Sequence, residues 1–141
     1  MFAFIKAFIA GFIAMLTFHQ GLLWLLDRAQ VISAMAWSMT PAPLLGIPEV
    51  LALALWGGLW GLVIWFLIRH AEAAGYYVGA IILSAILLSA VALTVVPLVL
   101  GGSVQALIAG MTLHRVGIEM ALNGSYGLGL AVLMRIMHPP R

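Results

Sequence analysis

From residue 73 to residue 114 the chain carries no Asp, Glu, Lys or Arg. A soluble domain does not leave so long a stretch without charge, because charged side chains supply much of its solvated surface. The rest of the chain continues the pattern. Of its 141 residues, 65% are hydrophobic and 7% are charged, where a soluble domain carries about 25% charged residues. Disordered chains are polar and charge-rich, so that class is excluded as well. The expected fold class is an all-α membrane protein: one integral domain, built as a four-transmembrane-helix bundle with short interfacial helices.

The few charges act as punctuation. Residues 7–26 lie uncharged between Lys6 and Asp27, and residues 50–68 lie uncharged between Glu49 and Arg69. Each run has about the 20 residues needed to cross a hydrocarbon core of ~30 Å. The stretch 73–114 is too long for one crossing and is broken by Pro97, Gly101 and Gly102. This places a third span at about 76–97 and a fourth at about 115–135. Lys6 makes a weak signal-peptide start, and no small-residue cleavage site follows the first apolar run, so a retained first span is expected.

Between the first two spans, Ala29–Thr40 reads as a short interfacial helix with Trp37 at headgroup depth. Pro41, Pro43 and Pro48 make the following segment extended. Residues 103–113 read either as a second interfacial or re-entrant helix, or as the start of one long final helix.

Loop charge sets the expected orientation. Lys6, Arg69, Glu72, Arg135 and Arg141 fall on one side; Asp27, Arg28, Glu49, Arg115 and Glu119 fall on the other. The positive-inside rule puts the first side, with both termini, in the cytoplasm; if the chain is bacterial, the expected membrane is the cytoplasmic (inner) one. There is no Lys/Arg run, so nucleic acid is not an expected partner. The expected partners are the lipid bilayer and either a second copy of the chain or a larger membrane protein.

Two segments resemble each other. Residues 58–69 read GLWGLVIWFLIR and residues 124–135 read GSYGLGLAVLMR. Pro43-Leu44-Leu45 and Pro97-Leu98-Val99 each precede a glycine turn. A tandem two-helix repeat accounts for these matches; chance in so restricted a composition is the other account. Helices in lipid pack through small residues. The candidates are Gly57 with Gly61, Gly75 with Gly79, Ala7 with Gly11, and Gly117 with Ala121 and Gly124.

Polar groups inside an apolar span need partners. His19 and Gln20 lie within the first span, and His114 and Arg115 open the fourth on the same side. Arg115, Glu119 and Asn123 follow at spacings of four, with Tyr126 roughly continuing the stripe. One reading is a buried polar clamp that fixes helix register. Another is a substrate, proton or quinone site titrating at Glu119 and His19. A third is haem b held between His19 and His114, or between His70 and His138. None of these cofactors is required by the residues, and no metal site or catalytic residue is expected. The sequence has no Cys, no H-E-x-x-H, no G-x-S-x-G and no P-loop. The expected function is therefore non-enzymatic: an accessory or structural subunit, or a homo-oligomer. The alternatives are a small transporter or proton-coupled carrier, and a haem- or quinone-binding redox subunit.

Overall fold

The computed structural model describes residues 2–139. Its helices, in chain order, are α1 (Phe2–Arg28), α2 (Glu49–Ile68), α3 (Ala73–Val99), α4 (Val104–Gly110) and α5 (Leu113–Met137). The described residues are 77% helical and include no strand. All the helices except α4 are long and apolar enough to cross a membrane.

The long helices run past the charge-bounded spans. Lys6 lies inside α1, and its Nζ donates to the Met137 carbonyl in the last turn of α5 at 2.6 Å. That bond satisfies a carbonyl that the helix end would otherwise leave unpaired. Thr112 caps α5 by accepting from the Arg115 N–H at 3.1 Å, and Ser103 caps α4 by accepting from the Ala106 N–H at 3.1 Å. These two caps make 103–137 two helices, so a single long final helix is excluded.

The expected helix over Ala29–Thr40 does not form; this segment is a loop folded back on α1. Side chains offer its backbone partners that a helix would have supplied internally. The Asp27 carboxylate accepts from the Ala34 N–H at 3.1 Å, and the Gln20 side-chain oxygen accepts from the Trp37 N–H at 2.8 Å. The Trp37 indole N–H donates to the Leu16 carbonyl at 2.8 Å. Two bonds thus hold Trp37 in a left-handed conformation, with φ 52°, that a bulky residue rarely adopts. At the far end of the loop, the Glu49 and Val50 N–H groups donate to Thr40 and Ser38 carbonyls. They are first-turn donors of α2 with no partner inside the helix.

Two of the long helices open into a wider π turn, α1 at Met15–His19 and α3 at Val91–Val95. Such a turn disturbs the i→i−4 ladder. In and beside the first, the carbonyls of Ile13, Leu16 and Phe18 accept from Thr17, Trp37 and Ser125 side chains. In the second, the Thr94 hydroxyl donates to the Ala90 carbonyl. Pro97 follows it with no N–H for the Leu93 carbonyl and a ring that would crowd it, which accounts for the widened turn just before.

α1 packs most closely on α2, and α3 on α5; α1 with α5 and α2 with α3 join the two pairs. Both intimate contacts are backbone to backbone. A Cβ on Gly61 would lie 2.5 Å from the Ala7 carbonyl oxygen, and one on Gly11 would strike the Gly57 carbonyl. In the other pair, a Cβ on Gly127 would strike the Ala80 carbonyl and lie 2.6 Å from Ser84 Oγ. Gly61 and Gly127 hold the same place in the two similar segments. A Cβ on Gly124 would make ordinary contact with Ile81 at 3.5 Å, and one on Gly79 with Ile68 at 3.5 Å. Gly75 and Gly117, expected on packing faces, have open space around them: an added Cβ would meet nothing within 4 Å.

Overpacking a tight contact costs about 1–3 kcal/mol, whereas Ala for Gly in an open helix position gains up to ~1 kcal/mol. Gly61→Val and Gly127→Val are therefore expected to lower the thermal stability of the purified protein in detergent, while Gly117→Ala leaves it unchanged or raises it. Equal losses at Gly117 and Gly127 would contradict this packing.

Candidate functional site

The sequence-predicted polar residues divide into two groups rather than one continuous network. The first belongs to α1 and the loop after it. His19 is buried at the end of the π turn, its Nδ1 lying 3.5 Å from Gln20 Nε2. Gln20 is buried too, and its oxygen is committed to Trp37 rather than to α5.

The second group lies between α3 and α5. Buried Asn123 donates to Ser89 Oγ at 3.0 Å and to the half-buried Glu119 carboxylate at 3.3 Å. The i, i+4 spacing brings Glu119 and Asn123 together, as helical geometry requires. Ser89 is a partner that spacing alone does not reveal, since it comes from another helix. Arg115 turns back to the Gly110 carbonyl at 3.5 Å. His114 is exposed in the first turn of α5, so His19 and His114 occupy unlike environments.

Two hydrogen bonds tie these groups to the rest of the fold. Ser125 Oγ donates to the Phe18 carbonyl at 3.1 Å, linking α5 to the π turn of α1. Tyr126 is fully buried, and its hydroxyl donates to the Gly57 carbonyl at 2.6 Å, joining α5 to α2. The close approach of α1 and α2 at Gly11 is what lets the phenol reach that carbonyl: a Cβ on Gly11 would lie 3.0 Å from the Tyr126 oxygen.

The opposite end of the molecule holds a cavity of about 630 Å³. It is lined by Arg69, His70, Glu72, Tyr76, Arg135 and His138, together with Trp65. The turn between α2 and α3 meets the end of α5 there. The Arg69 guanidinium lies over the Phe66 ring at 4.2 Å and Arg135 lies over Tyr76 at 4.1 Å, both within cation–π range. His138 meets Trp65 edge-on, with ring centroids 6.4 Å apart. His70 and His138 thus share one cavity. In the sequence Arg69 and Arg135 are helix-end charges on one side, matched as the last residues of the two similar segments; that they line one cavity is visible only in the fold. No group of three His, Asp or Glu is placed to hold a metal ion among the described residues.

Comparison with protein-family models, with curated proteins and with solved structures gives no match.

Interhelical hydrogen bonds within membranes contribute about 0.6–2 kcal/mol. Tyr126→Phe, which removes one and keeps the ring, is expected to lower stability by about that amount. Ser84 carries a buried hydroxyl with no partner among the described residues, so Ser84→Ala is expected to be neutral or stabilising. Thermal unfolding of both variants in one detergent checks the contrast.

Proposed function

We propose that the chain is an integral membrane protein whose four long helices cross the bilayer as a bundle, and that its role is structural. It serves as a non-enzymatic accessory subunit of a larger membrane assembly or builds a homo-oligomer. The observation that carries this reading is the use made of the interior polar groups. Asn123, Ser125, Tyr126 and Gln20 are each committed to a partner within the chain. Such groups fix helix register and leave few free polar atoms for chemistry. Apolar side chains along the long helices, among them Leu55, Leu59, Val63, Phe66, Ile82 and Ile86, are exposed and suit lipid or a neighbouring helix.

The tandem two-helix repeat belongs to the same proposal. Its support is that Gly61 and Gly127, matched in the two segments, each meet a backbone carbonyl of the preceding long helix. Each pair then forms one half of a pseudo-twofold arrangement. By the positive-inside bias, both termini are cytoplasmic, and in a bacterium the membrane is the inner one.

A second reading, a proton-coupled carrier, is favoured by one feature. Glu119 is a half-buried carboxylate hydrogen-bonded to Asn123 on a long apolar helix, and such groups mark ion pathways in other membrane proteins. Native mass spectrometry from a mild detergent separates the two. The structural reading predicts a fixed homo-oligomer or one larger partner at constant stoichiometry, unchanged in Glu119→Gln. A bare monomer whose proton flux in proteoliposomes is abolished by Glu119→Gln would overturn it in favour of the carrier. The same spectrum registers a haem or quinone mass, the mark of the redox alternative.

A further inference from the structure

The cavity between the α2–α3 turn and the end of α5 has a lining that the structural role does not use. Arg69, in the turn just past α2, and Arg135, in the last turn of α5, both line it. Each guanidinium has a face on an aromatic ring, Arg69 on Phe66 and Arg135 on Tyr76. Stacking holds the plane of the group and leaves its N–H edge free to donate. Among the described residues neither guanidinium meets a carboxylate within the 4.0 Å of an ion pair. The lining holds one carboxylate, Glu72, against these two arginines, and adds His70, His138 and the Tyr76 ring. With both histidines neutral it is still net positive. The nearby amine of Lys6 is already committed to the Met137 carbonyl.

We propose that this cavity is a binding site for a phosphate ester, with Arg69 and Arg135 donating to the phosphoryl oxygens. A carboxylate has two oxygens, which one guanidinium fork can satisfy. Two arginines on one cavity suit a phosphate group, whose non-bridging oxygens project tetrahedrally and can accept from both forks, whereas the planar carboxylate is matched by one. Its source is either the headgroup of an anionic phospholipid or a soluble phosphate ester. The position of the cavity favours the lipid. It lies where α1 and α3 begin and α2 and α5 end, at headgroup level for helices that cross a bilayer. Basic pockets between membrane helices on the cytoplasmic side bind anionic headgroups in this way. The choice of source rests on the membrane reading; the phosphate chemistry does not.

The test uses the full chain in two arms. In the first, the protein is placed in nanodiscs of phosphatidylcholine with phosphatidylglycerol, and the lipids it retains are weighed by native mass spectrometry. Phosphatidylglycerol is expected to be preferred on the order of 30-fold, about fivefold per arginine. The preference should be lost in the Arg69→Gln/Arg135→Gln pair and kept in Arg28→Gln at the other end of the molecule. In the second arm, inorganic phosphate is titrated calorimetrically into lipid-free protein in detergent. Saturable binding is expected, weakened tenfold or more in the double variant. Should that variant lose its helical circular dichroism, Arg69→Lys/Arg135→Lys replaces it. That pair keeps the charge but not the fork, and a weaker response is again expected.

Phosphate binding without lipid preference would support the site and assign it to a soluble ester. Failure to enter nanodiscs would count against the membrane reading alone, since the calorimetric arm still tests the site. No saturable phosphate binding, together with a lipid preference that survives both substitutions, would overturn the proposal.

Discussion

Helices clad almost entirely in apolar side chains hold register against one another through shape, because slippage in an apolar medium exposes nothing new to water. The constraint on which this fold depends is therefore close backbone approach. α1 and α2 touch where Ala7, Gly11, Gly57 and Gly61 bring carbonyl oxygens against α-carbons. α3 and α5 touch where Gly127 lies on the Ala80 carbonyl. Side chains larger than hydrogen at Gly11, Gly57, Gly61 or Gly127 would part the helices. Once they are close, Tyr126 can cross the interior and donate to the Gly57 carbonyl, so the polar tie depends on the small-residue contact beside it.

The π turns show the same economy in the backbone. Widening α1 at Met15–His19 leaves its carbonyls available to groups outside the helix ladder. Trp37 and Ser125 take two of them and thereby dock a loop and α5 onto α1. A local departure from helix geometry thus becomes a tertiary junction. In α3 the widened turn precedes Pro97, and Thr94 supplies its own hydroxyl to the Ala90 carbonyl. The two ends of the molecule differ in kind. One carries interior hydrogen bonds among neutral groups and Glu119; the other carries stacked arginines around an open cavity.

Much of this was legible from charge spacing. The uncharged runs announce four long helices, since length and composition alone decide whether a helix can cross a bilayer. Their ends were less legible. Lys6 marks a boundary only until its amine finds the Met137 carbonyl and lets α1 continue past it. Ala29–Thr40 carries helix-compatible residues, and the bonds that unfold it come from Gln20 and Leu16, distant in sequence. Spacing joined Glu119 to Asn123 but could not supply Ser89. Glycine spacing likewise drew equal attention to Gly57, which is packed, and Gly117, which is open, because only the partner helix distinguishes them. The cavity was half-legible: loop charge set Arg69, Glu72 and Arg135 on one side and the repeat matched the two arginines, but these are separated by nearly half the chain and only the fold closes a cavity between them.

The proposed role requires the four long helices to cross a bilayer with the Arg69–Arg135 end on one side and the Trp37 loop on the other. The sequence contains no Cys, so single cysteines report their own positions and nothing else. The most direct measurement is labelling of Ser33→Cys, Glu72→Cys and Gln105→Cys with a membrane-impermeant thiol reagent, in intact and then permeabilised cells. Ser33→Cys and Gln105→Cys are expected to react in intact cells, and Glu72→Cys only after permeabilisation. Reaction of all three from the same side would contradict that crossing.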